Sequence, residues 1–300
     1  MSNLPPNHVE RMSRANLSLQ GLSLGDAFGQ RFFHDEGKID GRILPAPPWH
    51  FTDDTVMALS IFEVLKKHGC IQQDSLAKAF AHRYFLDPRR GYGGTAHEIL
   101  RAIHGGMAWK VAATGAFSGM GSMGNGGAMR VGPLGAYFAD DTETLIEQAR
   151  LSAEVTHAHL EGQVGAIAIA LATAIAWRSR DKLCTSSGTE LIEFVLAHTP
   201  KSETREGIEK AFGLDRELSV QTAASFLGSG YKVISQDTVP FSIWCAARHL
   251  DNFANAMWTT VAGLGDRDTT CAIVGGIVAM SAPENTIPKD WVAAREELKL

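Results

Sequence analysis

Apolar and small residues recur along this chain at the three- and four-residue intervals of helices, and almost nowhere at the alternation of strands. Leu17, Gly21, Leu24 and Phe28 fall at i, i+4, i+7 and i+11, one stripe of a helix. Val56, Leu59, Ile61, Phe62 and Leu65 predict a second helix, and Leu76, Ala79, Phe80, Arg83 and Tyr84 a third. The same spacing predicts helices over 95–109, 142–153, 160–178, 189–198, 204–212, 217–228, 239–248, 251–263 and 270–280. Tyr231 to Ile234 is the best strand candidate, and it is short. Inner faces rich in Ala and Gly, as in Gly165 to Ala174, let helix axes approach closely. The expected fold is all-α, a single compact many-helix bundle over residues 1–300. The Gly-rich stretch 115–135 is read as a functional loop between helices, and Arg295 to Leu300 as a solvated tail.

Composition narrows this picture. With 45% hydrophobic and 20% charged residues, the chain can bury a large core and has no mark of disorder. A net charge of -5, without any Lys/Arg run, argues against strong nucleic-acid binding or attraction to anionic membrane. The longest apolar run, Val164 to Trp177, falls short of the roughly 20 residues of a membrane span. The N-terminus has no apolar stretch of the signal-peptide kind. Cys70, Cys184, Cys245 and Cys271 stand far apart, which excludes a zinc ribbon or dithiol motif and fits unpaired thiols in the cytoplasm.

Two acidic clusters open two predicted helices. Thr52-Asp53-Asp54-Thr55 precedes the apolar run from Val56, and Asp266-Arg267-Asp268-Thr269-Thr270 precedes that from Ala272. Each has the composition of a helix cap, with oxygens to accept the free N–H groups of the first turn. Each also supplies two carboxylates plus hydroxyls, the hard oxygen ligands that Mg²⁺ prefers. Four carboxylates brought together would repel, and one or two divalent ions would relieve that repulsion. The sequence does not say whether the clusters meet.

The stretch from Gly119 to Gly135 carries glycines that leave backbone N–H groups free to surround an anion, with Ser122 and Asn125 as extra donors. It lacks the Lys of a P-loop and the preceding strand of a dinucleotide fold, so the alternative is a tight helix crossing. Thr156-His157-Ala158-His159 opens a further helix as a cap, a core contact or a ligand. Arg89 to Gly94 is a basic Gly-rich turn, either a solvated loop or a second wall of an anion pocket.

In this order, the pieces resemble the ADP-ribosylglycohydrolase family. The resemblance runs through Gly25-Asp26-Ala27-Phe28-Gly29, Thr52 to Thr55, Arg90 to Gly93, Gly124 to Arg130, Thr156-His157, Thr238-Val239-Pro240 and Gly265 to Thr269, about residues 16–282. It implies an all-α orthogonal bundle with two Mg²⁺ or Mn²⁺ ions, acting on an ADP-ribosylated protein or a small ADP-ribose conjugate. Thr52, Asp53, Asp54, Asp266, Asp268 and Thr269 match the family's metal ligands, with Asp53 or Asp54 as the general base. Gly121, Ser122, Met123, Gly124 and Asn125 match its diphosphate and ribose cradle, His157 the histidine beside it, and Gly93 the Gly-rich turn. Phe117 and Met123 stand where aromatic residues flank the adenine. Two departures are plain: Arg267 replaces a common Thr and puts a positive charge beside the metals, and Phe33 stands where some members carry a Glu. A monomeric hydrolase is the expected activity; a catalytically silent ADP-ribose binder or structural member of the same fold is the alternative. A generic Mg²⁺-dependent phosphohydrolase is a third reading, separated by release of phosphate instead of ADP-ribose.

Overall fold

Most apolar stripes become helices, and at the closest crossings small residues face the neighbouring helix. The computed structural model describes residues 4–180 and 188–300; Cys184 lies outside the described residues. Among them the architecture is all-α, with two isolated bridges and no strand. Local signals set the boundaries. Asp141, Ser202, Ser219 and Asn252 each accept a backbone N–H of the helix they precede. Gly69, left-handed at φ 69°, ends the Asp53–His68 helix. The Leu160–Arg178 helix has the length and composition of a membrane span, yet most of it is buried among other helices of the bundle.

The most extensive helix packing joins His8–Arg31 to Arg267–Ser281. Gly21, Gly25 and Gly29 stand one turn apart on the first of these. A Cβ on each would lie 2.3, 2.0 and 2.2 Å from the carbonyl oxygens of Gly275, Cys271 and Arg267. The two backbones are therefore in direct contact, and Asp26, next to Gly25, is carried to the start of the partner helix. Gly25→Ala must push the helices apart. We expect it to cost about 2–3 kcal/mol, as overpacking does, read as a lower melting temperature; an unchanged melting temperature would show that the contact can yield freely.

Several local expectations are corrected. Tyr231 to Ile234 is not a strand: Gly228, Gly230 and Val233 all have positive φ, and one antiparallel bridge, Ile234 to Gly124, is all the pairing present. The helix expected over 95–109 stops at His104, where Gly105 and Gly106 break it, and a short helix Trp109–Gly115 follows. The stretch 115–135 is more than a loop, since it contains the short helices Gly126–Met129 and Gly132–Tyr137. Nor is the chain from Arg295 simply a solvated tail. Arg295 pairs with Trp49, and the Glu296 carboxylate accepts from Arg90, His50 and the Phe51 N–H.

Candidate active site

Asp26 is the pivot of the site. It is fully buried on the first helix, a charge inside an otherwise apolar and small-residue face. Its carboxylate accepts the backbone N–H of Thr52 and of Thr55 at 3.0 Å, and their hydroxyls at 2.9 and 2.6 Å. The Asp53–His68 helix is thus capped from another helix. Thr52, at the cap position, makes no capping bond of its own. Asp266 likewise begins the Arg267–Ser281 helix without a side-chain cap bond. The two clusters have the composition of caps, but their oxygens are held for something else.

They do meet. Ligand oxygens of Asp26, Asp54 and Asp268 lie within 4.8 Å of one another. Asp53 and Asp266 stand at the edge of this group, close enough for their charges to act on Asp54. The Thr52 hydroxyl lies 2.9 Å from both Asp26 and Asp54, and its one proton serves one of them at a time. Thr269 donates its N–H to Asp268 at 2.9 Å. Burial raises every carboxyl here: Asp26 to about 6, Asp53 to about 8, Asp266 upward, and Asp54 and Asp268 well above the usual range. Like charges next door add to the rise at Asp53, Asp54 and Asp268.

Ionised, such a group calls for positive charge beside it. One Asp54 oxygen, Oδ1, is buried with no hydrogen-bond partner, an open acceptor in a pocket of hard oxygen donors. That donor set fits a hard divalent cation.

The loop next to the pocket is tied to it. The Asn125 amide donates to Asp266 at 2.7 Å and to the Thr238 hydroxyl at 3.0 Å, so its N–H groups hold the acidic cluster and are not free for a ligand. The N–H groups of Gly121, Gly124 and Asn125 are also occupied, by Ala116 O, Ser122 Oγ and Val233 O. Fewer backbone donors face an anion than the glycine content suggested. Ser122, buried, keeps its own hydroxyl proton for another acceptor. Met123 accepts from Ser235 N through its carbonyl and lies 3.6 Å from the Gln236 amide through its sulfur. His157 lies under Gly124 and Gly126. Phe117, with a left-handed backbone, is exposed on the outer part of the same loop. Gly93 begins the Gly94–His104 helix on an exposed turn, two residues after Gly91, which stands against Asp53.

Arg267 corrects an expectation. Its guanidinium donates to Phe32 O and Glu36 and lies over the Phe33 ring, so its charge serves the 32–36 segment and not the carboxylate pocket. Sequence reading missed Asp26, Thr55, Arg130 and Thr238 as site residues. For Asp26 a signal existed: an acid on a buried helix face needs a partner, and none is local.

The profile of the ADP-ribosylglycohydrolase family matches residues 7–299. The chain belongs to that family. Among the family's relatives, ADP-ribosylhydrolase ARH3 of Bos taurus is 30% identical over 80% of this chain and 73% of its own length. The Mus musculus ADP-ribosylhydrolase ARH3 is 29% identical over 81% and 72%. A chain of a solved ADP-ribosylglycohydrolase-related protein complex matches with a TM-score of 0.67, over 96% of this chain and 94% of that one; at 22% identity this is a likeness of fold. Membership makes the chain a glycosidase-type hydrolase, in an ADP-ribosylglycohydrolase family that is metal-dependent in general.

Proposed function

We propose that the chain hydrolyses the C1″ glycosidic bond that joins ADP-ribose to a modified protein or small conjugate, using two Mg²⁺ or Mn²⁺ ions. The observation that carries this reading is the triplet of buried carboxylates within 4.8 Å, with Asp54 Oδ1 left unpartnered. Asp26, Asp54 and Asp268 would hold the ions, with Thr52, Asp53, Asp266 and Thr269 at the edge. When bound, such ions supply Lewis acidity toward ribose hydroxyls and toward water.

The chain's own residues divide the remaining work. Asp54 is committed to the triplet. Asp53 stands outside it, and its burial beside Asp26 and Asp266 raises its proton affinity, which suits it as the general base. The surrounding carboxylates favour the positive charge that develops at C1″ as the bond breaks. The Gly121 to Asn125 loop, with Ser122 Oγ and His157, takes the diphosphate and ribose, and Phe117 lies against the adenine. The names of the ADP-ribosylhydrolase relatives support the substrate class. We read the chain as a single catalytic domain, working as a monomer in a reducing cytoplasm; unpaired Cys70, Cys245 and Cys271 accord with the redox part.

The test is release of free ADP-ribose from arginine-modified and serine-modified proteins, each in Mg²⁺ and in EDTA. Release in Mg²⁺ that EDTA abolishes is expected from at least one. No release from either, with ADP-ribose still binding by calorimetry, would favour a silent binder.

A further inference from the structure

Arg130 is a cation in the core with no exposed surface. Its guanidinium lies 4.4 Å over the Phe80 ring, and burial lowers its pKa to about 9, with Asp53 acting the other way. A buried charge of this kind is costly unless its donors are used. Nη2 donates to Ser152 O at 3.1 Å and to the Thr156 hydroxyl at 2.8 Å. The same Thr156 oxygen lies 2.7 Å from His157 Nδ1.

We infer that Arg130 and Thr156 are positioning residues that lock His157 in the Nε2–H tautomer, making it a fixed hydrogen-bond donor to an oxygen of the bound diphosphate or ribose. This rests on the reading of the adjoining pocket as an ADP-ribose site. A guanidinium can only donate, so Thr156 Oγ accepts from Arg130. The hydroxyl has one proton of its own, and among the described residues the remaining contact of Oγ is His157 Nδ1. Nδ1 is therefore an acceptor, and the proton of the neutral ring sits on Nε2. With the proton on Nδ1 instead, the Thr156 hydroxyl proton would be buried without an acceptor. Burial, helped by the Arg130 charge, lowers the imidazole pKa to about 3, so the neutral ring is the working form.

Nε2 lies against the backbone of two glycines. A Cβ at Gly124 would lie 3.2 Å from it and one at Gly126 3.1 Å. The glycines let the ring lie close under the loop, and the ring is itself half-buried, so its edge is within reach of a ligand oxygen. Because the N–H groups of Gly121, Gly124 and Asn125 are already occupied, an imidazole N–H facing the cradle adds a donor to those the backbone has left.

The test compares full-length wild type, Thr156→Val and Thr156→Ser, with ¹⁵N-labelled histidine and ADP-ribose as the probe. Wild type is expected to show His157 with Nδ1 unprotonated and Nε2 protonated. Thr156→Val is expected to give mixed tautomers and about tenfold weaker ADP-ribose binding, the value of one hydrogen bond. In turnover the loss should fall on KM more than on kcat, and Thr156→Ser should restore both spectrum and affinity. A wild-type ring protonated on Nδ1, or a Val variant with unchanged tautomer and affinity, would overturn the relay. Should Thr156→Val not fold, the wild-type spectrum and Thr156→Ser decide the matter. Wild type that fails to bind ADP-ribose would count against the functional reading alone, because the spectrum still reports the tautomer.

Discussion

Asp268→Asn is expected to slow ADP-ribose release by about a thousandfold or more, roughly 4 kcal/mol of barrier, while the fold survives. Asn has the shape of Asp, and its carbonyl oxygen can still accept the Thr269 N–H that Asp268 Oδ1 now accepts. What the substitution removes is one charge from the triplet of Asp26, Asp54 and Asp268, and with it the hold on a divalent cation. The effect on stability should run the other way. In EDTA the variant should melt above wild type, since burial and the charges of Asp266 and Asp26 burden the ionised Asp268. Full turnover by Asp268→Asn would remove that residue from the site. A lower melting temperature in EDTA would show that the pocket is not under electrostatic repulsion.

Metal-free wild type is expected to lose stability steadily as pH rises from about 4 to 8, by about 5–10 °C in melting temperature. Asp26 is raised to about 6 and Asp53 to about 8 by burial. Between the ordinary carboxylate value and those raised values, the folded state keeps protons that the unfolded chain has released. Folding therefore takes up protons in this window, and lowering the pH favours it. Saturating Mg²⁺ should flatten the profile and raise the melting temperature at pH 8, because the cation replaces the protons. Melting curves at several pH values, in EDTA and in Mg²⁺, check both statements. A profile that rises with pH in EDTA would contradict the raised carboxyl groups, and one insensitive to Mg²⁺ would argue against a cation there.

The helical fold was legible because its signals are local. Apolar spacing lies within each segment, so the helices around Val56 to Leu65, 142–153 and 160–178 could be read without knowing their neighbours. Boundaries were harder. Gly105 and Gly106 cut one expected helix in two, and short helices fill much of what the glycines at 115–135 suggested was loop. The bonds that Glu296 accepts from Arg90, His50 and the Phe51 N–H join segments far apart in the chain, which no local pattern describes.

The candidate site divides the same way. From the sequence alone came the residue types: two acidic clusters at helix starts, a glycine-rich stretch, a histidine and the family they resemble. Their spacing along the chain was enough, because hard oxygens and bare backbone are properties of the residues themselves. Only the tertiary structure decided that the two clusters meet, that Asp26 joins them, and that Asp26 caps the helix which Thr52 begins. It alone turned Arg267 toward Glu36 and away from the pocket. It alone placed Arg130 behind His157 through Thr156. The reason is that burial and charge proximity are set by which helices touch. Here that is the contact of Gly21, Gly25 and Gly29 with the carbonyls of the Arg267–Ser281 helix, near the far end of the chain.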